Sequence, residues 1–268
     1  MKFTIAVPTY TDKSGGHWYC HYLCHALNEI GHTATISFYE PPYRINFDWN
    51  TPLGHDPEAI VIYPEGCRGN FLNAKKIVRY LLAPEDFFKG TPIQWLPTDF
   101  KLAFSKTYAK DCDSLFYPIC DLDKFIPTDK PKKFNSFYVG KGHLRQQCQP
   151  LKDCIEIMRN WPQKKEELAK ILQLTNIFFT YDEMSAINID AALCGAMPYF
   201  LTKHLPWIQD NELGKHWIYS LDSEEVTEAK ENIKTLRPRI IQMRKEYPSK
   251  LAEMCIKIEA HFKNVAYN

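Results

Sequence analysis

Short apolar runs rich in β-formers alternate with turn residues and helical stretches along this chain, and that alternation leaves few folds open. The first run, Phe3 to Val7, ends at Pro8-Thr9. A polar loop with Gly15-Gly16 follows, then a helical stretch from His17 to Ile30 stopped by Gly31, then a second strand from Ala34 to Tyr39. Strand, glycine loop, helix and strand in that order open a parallel Rossmann-like sheet. Ala59 to Tyr63 predicts a buried strand ending in Pro64-Glu65, and Asn73 to Leu82 has helical spacing up to Pro84. Ile93 to Leu96, Leu102 to Phe104 and Leu115 to Tyr117 are further predicted strands.

Residues 127–135, PTDKPKKFN, carry two prolines and three lysines and no apolar face, the composition of a linker. The alternation then restarts. Ser136 to Val139 predicts a strand running into Gly140-Lys141-Gly142. Leu151 to Asn160 and Lys164 to Leu172 predict helices, Asn176 to Thr180 a strand, Ser185 to Leu193 a helix and Tyr199 to Leu201 a strand. Glu224 to Lys245 and Ser249 to Lys263 predict two long amphipathic helices. The expected fold is α/β, with two Rossmann-like lobes, 1–130 and 131–268, facing a central cleft. Open parallel sheets bind ligands at the carboxyl ends of their strands, so the ligand is expected there.

Composition narrows the partners. A length of 268 residues suits two small domains, and 45% hydrophobic with 24% charged residues describes a globular chain. A formal net charge of +1 argues against nucleic acid as the main partner, since phosphate-tracking proteins carry a strong positive excess. There are nine cysteines and no Cys-x-x-Cys. The start MKFTIAVPTY lacks the pattern of a secretory leader, and no apolar run reaches membrane-spanning length. These features lead to the expectation of a cytoplasmic protein with free thiols. No strong basic amphipathic helix decides for or against peripheral membrane proximity, and the sequence leaves the oligomeric state open.

The stretch 178–200, FFTYDEMSAINIDAALCGAMPYF, runs a strand into an acidic turn and a helix from about Ser185, with Gly195 at the helix end. Two readings of the residues stand side by side. The helix start offers free N–H groups to a diphosphate while Asp190 accepts from ribose hydroxyls; or Asp182, Glu183 and Ser185 merely cap a helix. Likewise Lys141 and Arg145 are either diphosphate cations or solvated surface charges.

These motifs resemble the donor-binding signature of glycosyltransferase family 4 and its GT-B-fold relatives, including bacterial polysaccharide glycosyltransferases. The matching residues are Glu183, Asp190 and Ala191-Ala192-Leu193-Cys194-Gly195-Ala196-Met197-Pro198. The second acid is Asp where the family usually has Glu, and six residues separate the pair instead of seven, so Asp182 or Glu183 takes the first position. Met184-Ser185-Ala186 replaces the glycine-rich turn of many members. Tyr138-Val139-Gly140-Lys141-Gly142 with Arg145 is similar to the family's diphosphate-holding strand end. Ser14-Gly15-Gly16 and Gly31-His32-Thr33-Ala34-Thr35-Ile36 are similar to its N-terminal motifs, and the stretch from Tyr63 through Tyr80 resembles the polysaccharide enzymes.

The resemblance implies a glycosyltransferase, retaining and metal-independent, with no cofactor beyond a nucleotide-sugar co-substrate and a glycan or other hydroxyl acceptor. It implies Glu183 or Asp182 as catalytic acids. Gly15, Gly16, Gly140, Lys141, Arg145, Tyr181, Met184, Ser185 and Asp190 would bind the donor, and Glu65, Asn70 and Asn73 would face the acceptor. The rival expectation is a non-catalytic nucleotide- or sugar-binding module, favoured by the altered acid pair. An oxidoreductase is disfavoured by the missing Gly-x-Gly-x-x-Gly. Asp111-Cys112-Asp113 and Asp121-Leu122-Asp123 read as chance Asp-x-Asp patterns, and His17, Cys20, His21, Cys24 and His25 as a partly buried helix instead of a zinc site.

Overall fold

The structure is a computed structural model and describes residues 1–84, 95–106, 108, 109, 111–144, 147–202, 213, 216–218 and 220–265. It divides into two compact units, Met1–Tyr117 with Arg244–Asn268, and Pro118–Met243.

The first unit is built on β1 (Lys2–Val7), α1 (Gly15–Glu29), β2 (Thr33–Phe38), β3 (Ile60–Pro64), β4 (Lys76–Leu81), β5 (Phe100–Ala103) and β6 (Asp113–Ser114). The strands form one sheet in the order β2-β1-β3-β4-β5-β6, with every neighbour parallel. β1, β3 and β4 lie inside the sheet and are buried along nearly their whole length, which is why they read as continuous apolar runs. α1 packs Leu23 and Leu27, both fully buried, toward β1 and β2. The core also holds a chain of tyrosine hydroxyls. Tyr80 bonds to Tyr19 at 2.8 Å and to the Leu115 carbonyl at 2.5 Å, and Tyr19 bonds to Tyr247 at 2.8 Å. Burial holds all three phenols well above the usual tyrosine range.

The second unit contains β7 (Phe134–Tyr138), a 3-10 turn (Gly140–Leu144), β8 (Cys154–Ile157), α2 (Lys165–Leu174), β9 (Thr175–Thr180), α3 (Ile187–Leu193) and β10 (Met197–Phe200). Its four strands run in the order β10-β9-β7-β8, again all parallel. Two separate parallel sheets with helical crossovers agree with the α/β class read from the sequence.

Several expectations about single elements are corrected. Asn73–Leu82 is not a helix: it contains β4, whose charges at Lys76 and Arg79 imitate helical spacing. Arg79 is nevertheless buried, 3.4 Å from Asp99, and donates to the Gly69 carbonyl at 2.8 Å. Leu151–Asn160 is not a helix either, but holds β8 at the edge of the second sheet. No strand covers Leu115–Tyr117; pairing with β5 falls on Asp113–Ser114. Of the strand expected at Ile93–Leu96, residues 93 and 94 lie outside the described residues, and Trp95 and Leu96 are not in a strand.

The two long helices are one, α4 (Ser223–Asn264), running through Pro238 and Pro248. Its buried residues explain the continuity. Leu236, Ile240, Met243, Tyr247, Leu251, Met254, Ile258 and Phe262 recur every three or four positions without a break at Pro248. One apolar stripe of that length outweighs the roughly 3 kcal/mol that an interior proline costs a helix. The 127–135 stretch lies within the second unit. Lys132 donates there to the carbonyls of Gln173 and Cys194, both at 3.0 Å, and so caps the carboxyl ends of α2 and α3.

Candidate functional site

All four strands of the second sheet are parallel, so their carboxyl ends share one edge. β7 leaves that edge through a turn that requires glycine twice. Gly140 has φ +48°, and a Cβ placed there would strike the Tyr138 ring and the Asp182 carboxylate. At Gly142 a Cβ would lie 2.5 Å from the Tyr181 carbonyl oxygen. The turn is therefore pressed against the segment that follows β9, and its main-chain path is fixed by that contact.

Asp182 is the hinge of this packing. It is 3% exposed, and its Oδ2 accepts the Lys141 main-chain N–H at 2.8 Å while its Oδ1 accepts that of Met184 at 3.3 Å. The Asp182 main chain is held by Thr180 Oγ1, at 3.0 Å from its N–H, and by Asn188 Nδ2, at 2.9 Å from its carbonyl. Burial pushes the Asp182 carboxyl above the usual range, opposed by the Lys141 charge and by the N–H groups of Lys141 and Met184. Glu183, 8% exposed, accepts a hydrogen bond from Thr202 just beyond β10. Tyr138 is buried at the end of β7, its phenol raised by burial and by the Asp182 charge and hydrogen-bonded to Ser185.

The structure thus brings Gly140, Lys141, Tyr181, Asp182, Met184 and Ser185 together, with Glu183 beside them. Lys141 is exposed at the tip of the turn. Asp190 lies half-buried in the first turn of α3. Arg145 lies outside the described residues. One expectation is corrected: the helix begins at Ile187, with Ala186 at its cap and no side-chain cap bond, so Ser185 is not its first residue. α3 has only seven residues, and its N-terminus is correspondingly weak as an anion site.

Arg159 was not singled out from the sequence. It is exposed just beyond the carboxyl end of β8, which pairs in parallel with β7, and its charge lowers the proton affinity of both Asp182 and Tyr138. A basic residue shortly after a strand was the available signal, and the helical reading of 151–160 hid it. An exposed lysine and an exposed arginine beside a tightly held glycine turn form an arrangement suited to an anionic group such as a diphosphate.

In the first unit, Gly15 and Gly16 open α1 instead of forming the loop before it, and a Cβ on Gly16 would lie in ordinary contact, 3.7 Å from Leu82. Glu65, just past β3, accepts the Leu82 main-chain N–H at 2.8 Å, so these residues meet at the carboxyl edge of the first sheet. Asn70 is taken up by the β3–β4 connection. Its Oδ1 accepts from Tyr63 at 2.9 Å and from the Ala74 N–H at 2.8 Å, and its Nδ2 donates to the Ala74 carbonyl at 3.0 Å. Asn73 occupies the same connection with φ +52°.

On α1, His17 donates to the Thr9 carbonyl at 3.0 Å and His21 Nε2 to that of Pro8 at 2.9 Å. His21 is fully buried and its pKa is lowered by burial, so the ring is neutral, with the proton on Nε2. Among the described residues no three His, Cys, Asp or Glu side chains are placed to hold a metal, and no helix is long and apolar enough to cross a membrane.

No family model matches the chain. No curated protein matches it either. Among solved structures, sucrose-phosphate synthase from Thermosynechococcus elongatus is similar with a TM-score of 0.54 at 9% identity, covering 97% of this chain and 100% of that one. The spinosyn forosaminyltransferase SpnP scores 0.47 at 9% identity, covering 97% and 99%. The T4 phage enzyme BGT, in complex with its UDP-glucose substrate, scores 0.40 at 14% identity, covering 97% of both chains. The likeness to sucrose-phosphate synthase is one of fold: parallel α/β sheets joined by helical crossovers.

Proposed function

We propose that the chain is a GT-B glycosyltransferase that takes its sugar from a nucleotide-activated donor. The observation that carries this reading is the carboxyl edge of the second sheet, where a glycine turn held by a buried aspartate presents Lys141 and where Arg159 follows β8. The fold shared with sucrose-phosphate synthase supports it. The acceptor oxygen attacks the anomeric carbon as the bond from that carbon to the phosphate oxygen breaks. The nucleoside diphosphate leaves with the electron pair, and its phosphate oxygen takes up the acceptor proton. This is the retaining, metal-independent form that the family resemblance implies.

In this reading Lys141 and Arg159 offset charge that grows on the leaving group, and fixed cations there are worth about 3 kcal/mol each, on the order of 100-fold in rate. Glu183 is the carboxylate toward the sugar. Asp182, with both oxygens engaged by main-chain N–H groups, is a positioning residue for the turn. Asp190 holds the ribose. Glu65 belongs to the acceptor side, and Gly15 and Gly16 at the start of α1 to the donor side, as the family resemblance implies.

The second reading, a binding module without turnover, is favoured by one observation: both candidates for the catalytic acid, Asp182 and Glu183, are buried and engaged by protein groups. Nucleotide release from UDP-, GDP-, dTDP-, ADP- and CMP-sugars separates the two. The transferase reading expects release from one donor, faster with a matching acceptor, and a drop of about 100-fold or more in Glu183→Gln, which keeps the Thr202 bond but removes the charge. Tight binding of one donor with no release in any acceptor mixture would support the binding module instead.

A further inference from the structure

The glycine turn that follows β7 carries a further chemistry-bearing side chain, His143, which the reading above does not use. Gly142 is buried and faces the Tyr181 main chain, so the residues on either side of it, Lys141 and His143, are left exposed at the carboxyl edge of the second sheet. The His143 ring is nevertheless fixed. Its Nδ1 lies 2.6 Å from the Gly140 carbonyl oxygen, three residues back in the same 3-10 turn.

That bond sets the tautomer. A carbonyl oxygen only accepts, so Nδ1 carries the proton and donates it. Nε2 lies on the far side of Cε1 from Nδ1 and faces away from the main chain of the turn. Among the described residues it makes no hydrogen bond. In the neutral ring this nitrogen is a bare lone pair. Phosphate oxygens are acceptors as well, and two acceptors repel. The imidazolium removes the conflict, because Nε2 then carries a proton, donates to the oxygen and makes a charge-assisted bond. Histidine, with an ordinary value of about 6.5, has that form within reach near neutral pH, and a bound anion favours it.

We propose that His143 is a phosphate-binding residue of the donor site, which engages a diphosphate oxygen through Nε2 only as the imidazolium, so that the donor binds with uptake of a proton. The proton comes from solvent, resides on Nε2 in the complex and returns to solvent when the nucleotide leaves; no other bond changes. The identity of the ligand rests on the nucleotide-sugar reading, whereas the fixed ring and its outward Nε2 are independent of it.

The other titratable and charged groups around the turn are Lys141 on the turn itself, Tyr138 from β7, Tyr181 and Asp182 from the segment after β9, and Arg159 beyond β8. Lysine and arginine ordinarily stay charged, and phenols neutral, across neutral pH. Burial raises the Asp182 carboxyl, but that group is common to the wild type and to every His143 variant, so a difference between them belongs to His143.

The test is calorimetric titration of the full chain with UDP-glucose, GDP-mannose, dTDP-glucose and ADP-glucose from about pH 6 to about pH 8.5, a range that spans the histidine titration, in wild type, His143→Gln and His143→Lys. Both phosphates of a nucleotide sugar are esterified, so the ligand itself does not titrate in this range. The donor that binds should lose about tenfold in affinity for the wild type as pH rises, and its binding heat should vary with the ionisation enthalpy of the buffer, as proton uptake requires. His143→Gln should bind at every pH with the weaker affinity of the alkaline wild type and take up no proton. His143→Lys, whose charge does not titrate here, should restore the tighter affinity and keep it across the range. Wild-type affinity and proton uptake equal to those of His143→Gln overturn the assignment and leave the donor reading standing. If none of the four donors binds at any pH, the donor reading fails and the assignment falls with it.

Discussion

Three glycines of the second unit separate the two reasons for which a turn needs glycine. Gly195 has φ +74°, but its nearest neighbour for an added Cβ is the end of the Lys132 side chain at 3.5 Å, an ordinary contact. Gly195→Ala therefore meets only the backbone penalty of a left-handed residue, about 1–2 kcal/mol. Gly142→Ala carries no such φ, but its Cβ would sit 2.5 Å from the Tyr181 carbonyl oxygen and from the Tyr181 Cβ, atoms that cannot swing aside. Overpacking of that kind costs about 1–3 kcal/mol. Gly140→Ala combines both: φ +48°, and a Cβ driven into Tyr138 and the Asp182 side chain. About 2–5 kcal/mol is expected, with the Asp182 bond to the Lys141 N–H as the contact that gives way. Urea unfolding followed by tyrosine and tryptophan fluorescence measures all three. The reasoning predicts Gly140→Ala as the most damaging. If it costs no more than Gly195→Ala, the turn is not packed against Asp182 and the site geometry built on that contact is wrong.

Arg159→Ala should weaken binding of the matching nucleoside diphosphate by about tenfold or more in calorimetry, as expected for a charge-assisted phosphate contact. The same variant should raise the Asp182 pKa further, readable as a carboxyl carbon titration, because Arg159 lowers it in the wild type. His21 has its pKa lowered by burial, so below the ordinary histidine value the unfolded chain binds a proton that the folded chain refuses. Stability should fall as pH drops below about 6.5, by up to roughly 1.4 kcal/mol per pH unit, and that part of the slope should vanish in His21→Gln. Tyr80→Phe removes the hydroxyl that donates to the Leu115 carbonyl and accepts from the Tyr19 hydroxyl in a fully buried chain. It should cost about 1–3 kcal/mol in the same unfolding assay, and a neutral result would mean that the hydroxyl chain is not formed.

The parts of the fold visible in the sequence are those in which local pattern and tertiary burial coincide. β1, β3 and β9 are apolar runs bounded by turn residues, and α2 shows one apolar face. β4 escaped because Lys76 and Arg79 break its apolar run, and the partner that makes a buried arginine tolerable, Asp99, lies twenty residues away. β8 escaped because Leu151, Cys154, Ile155 and Met158 fall at helical spacing although Cys154–Ile157 pairs with β7. α4 reads as two helices in sequence because Pro248 is a local helix breaker, whereas the stripe that keeps it whole is set by packing.

The site shows the same division. The glycines of the 138–142 turn and the acids after β9 stand out in the sequence. What Asp182 does depends on β7 pairing with β9, which sets Tyr138 beside Thr180 and so the turn beside Asp182. Asn70 attracted attention as a polar residue after a strand, yet its side chain is consumed by its own connection, which no spacing rule reveals. Arg159 enters only once β8 is known to be a strand whose carboxyl end shares an edge with β7 and β9.

The central claim is that the carboxyl edge of the second sheet holds the diphosphate of a nucleotide sugar. Amide hydrogen exchange, with and without the nucleotide sugar that binds, tests it at the level of residues. The account predicts added protection at 138–143 and 181–185, absent in Lys141→Ala. Protection confined to other parts of the chain, or unchanged in Lys141→Ala, would contradict it.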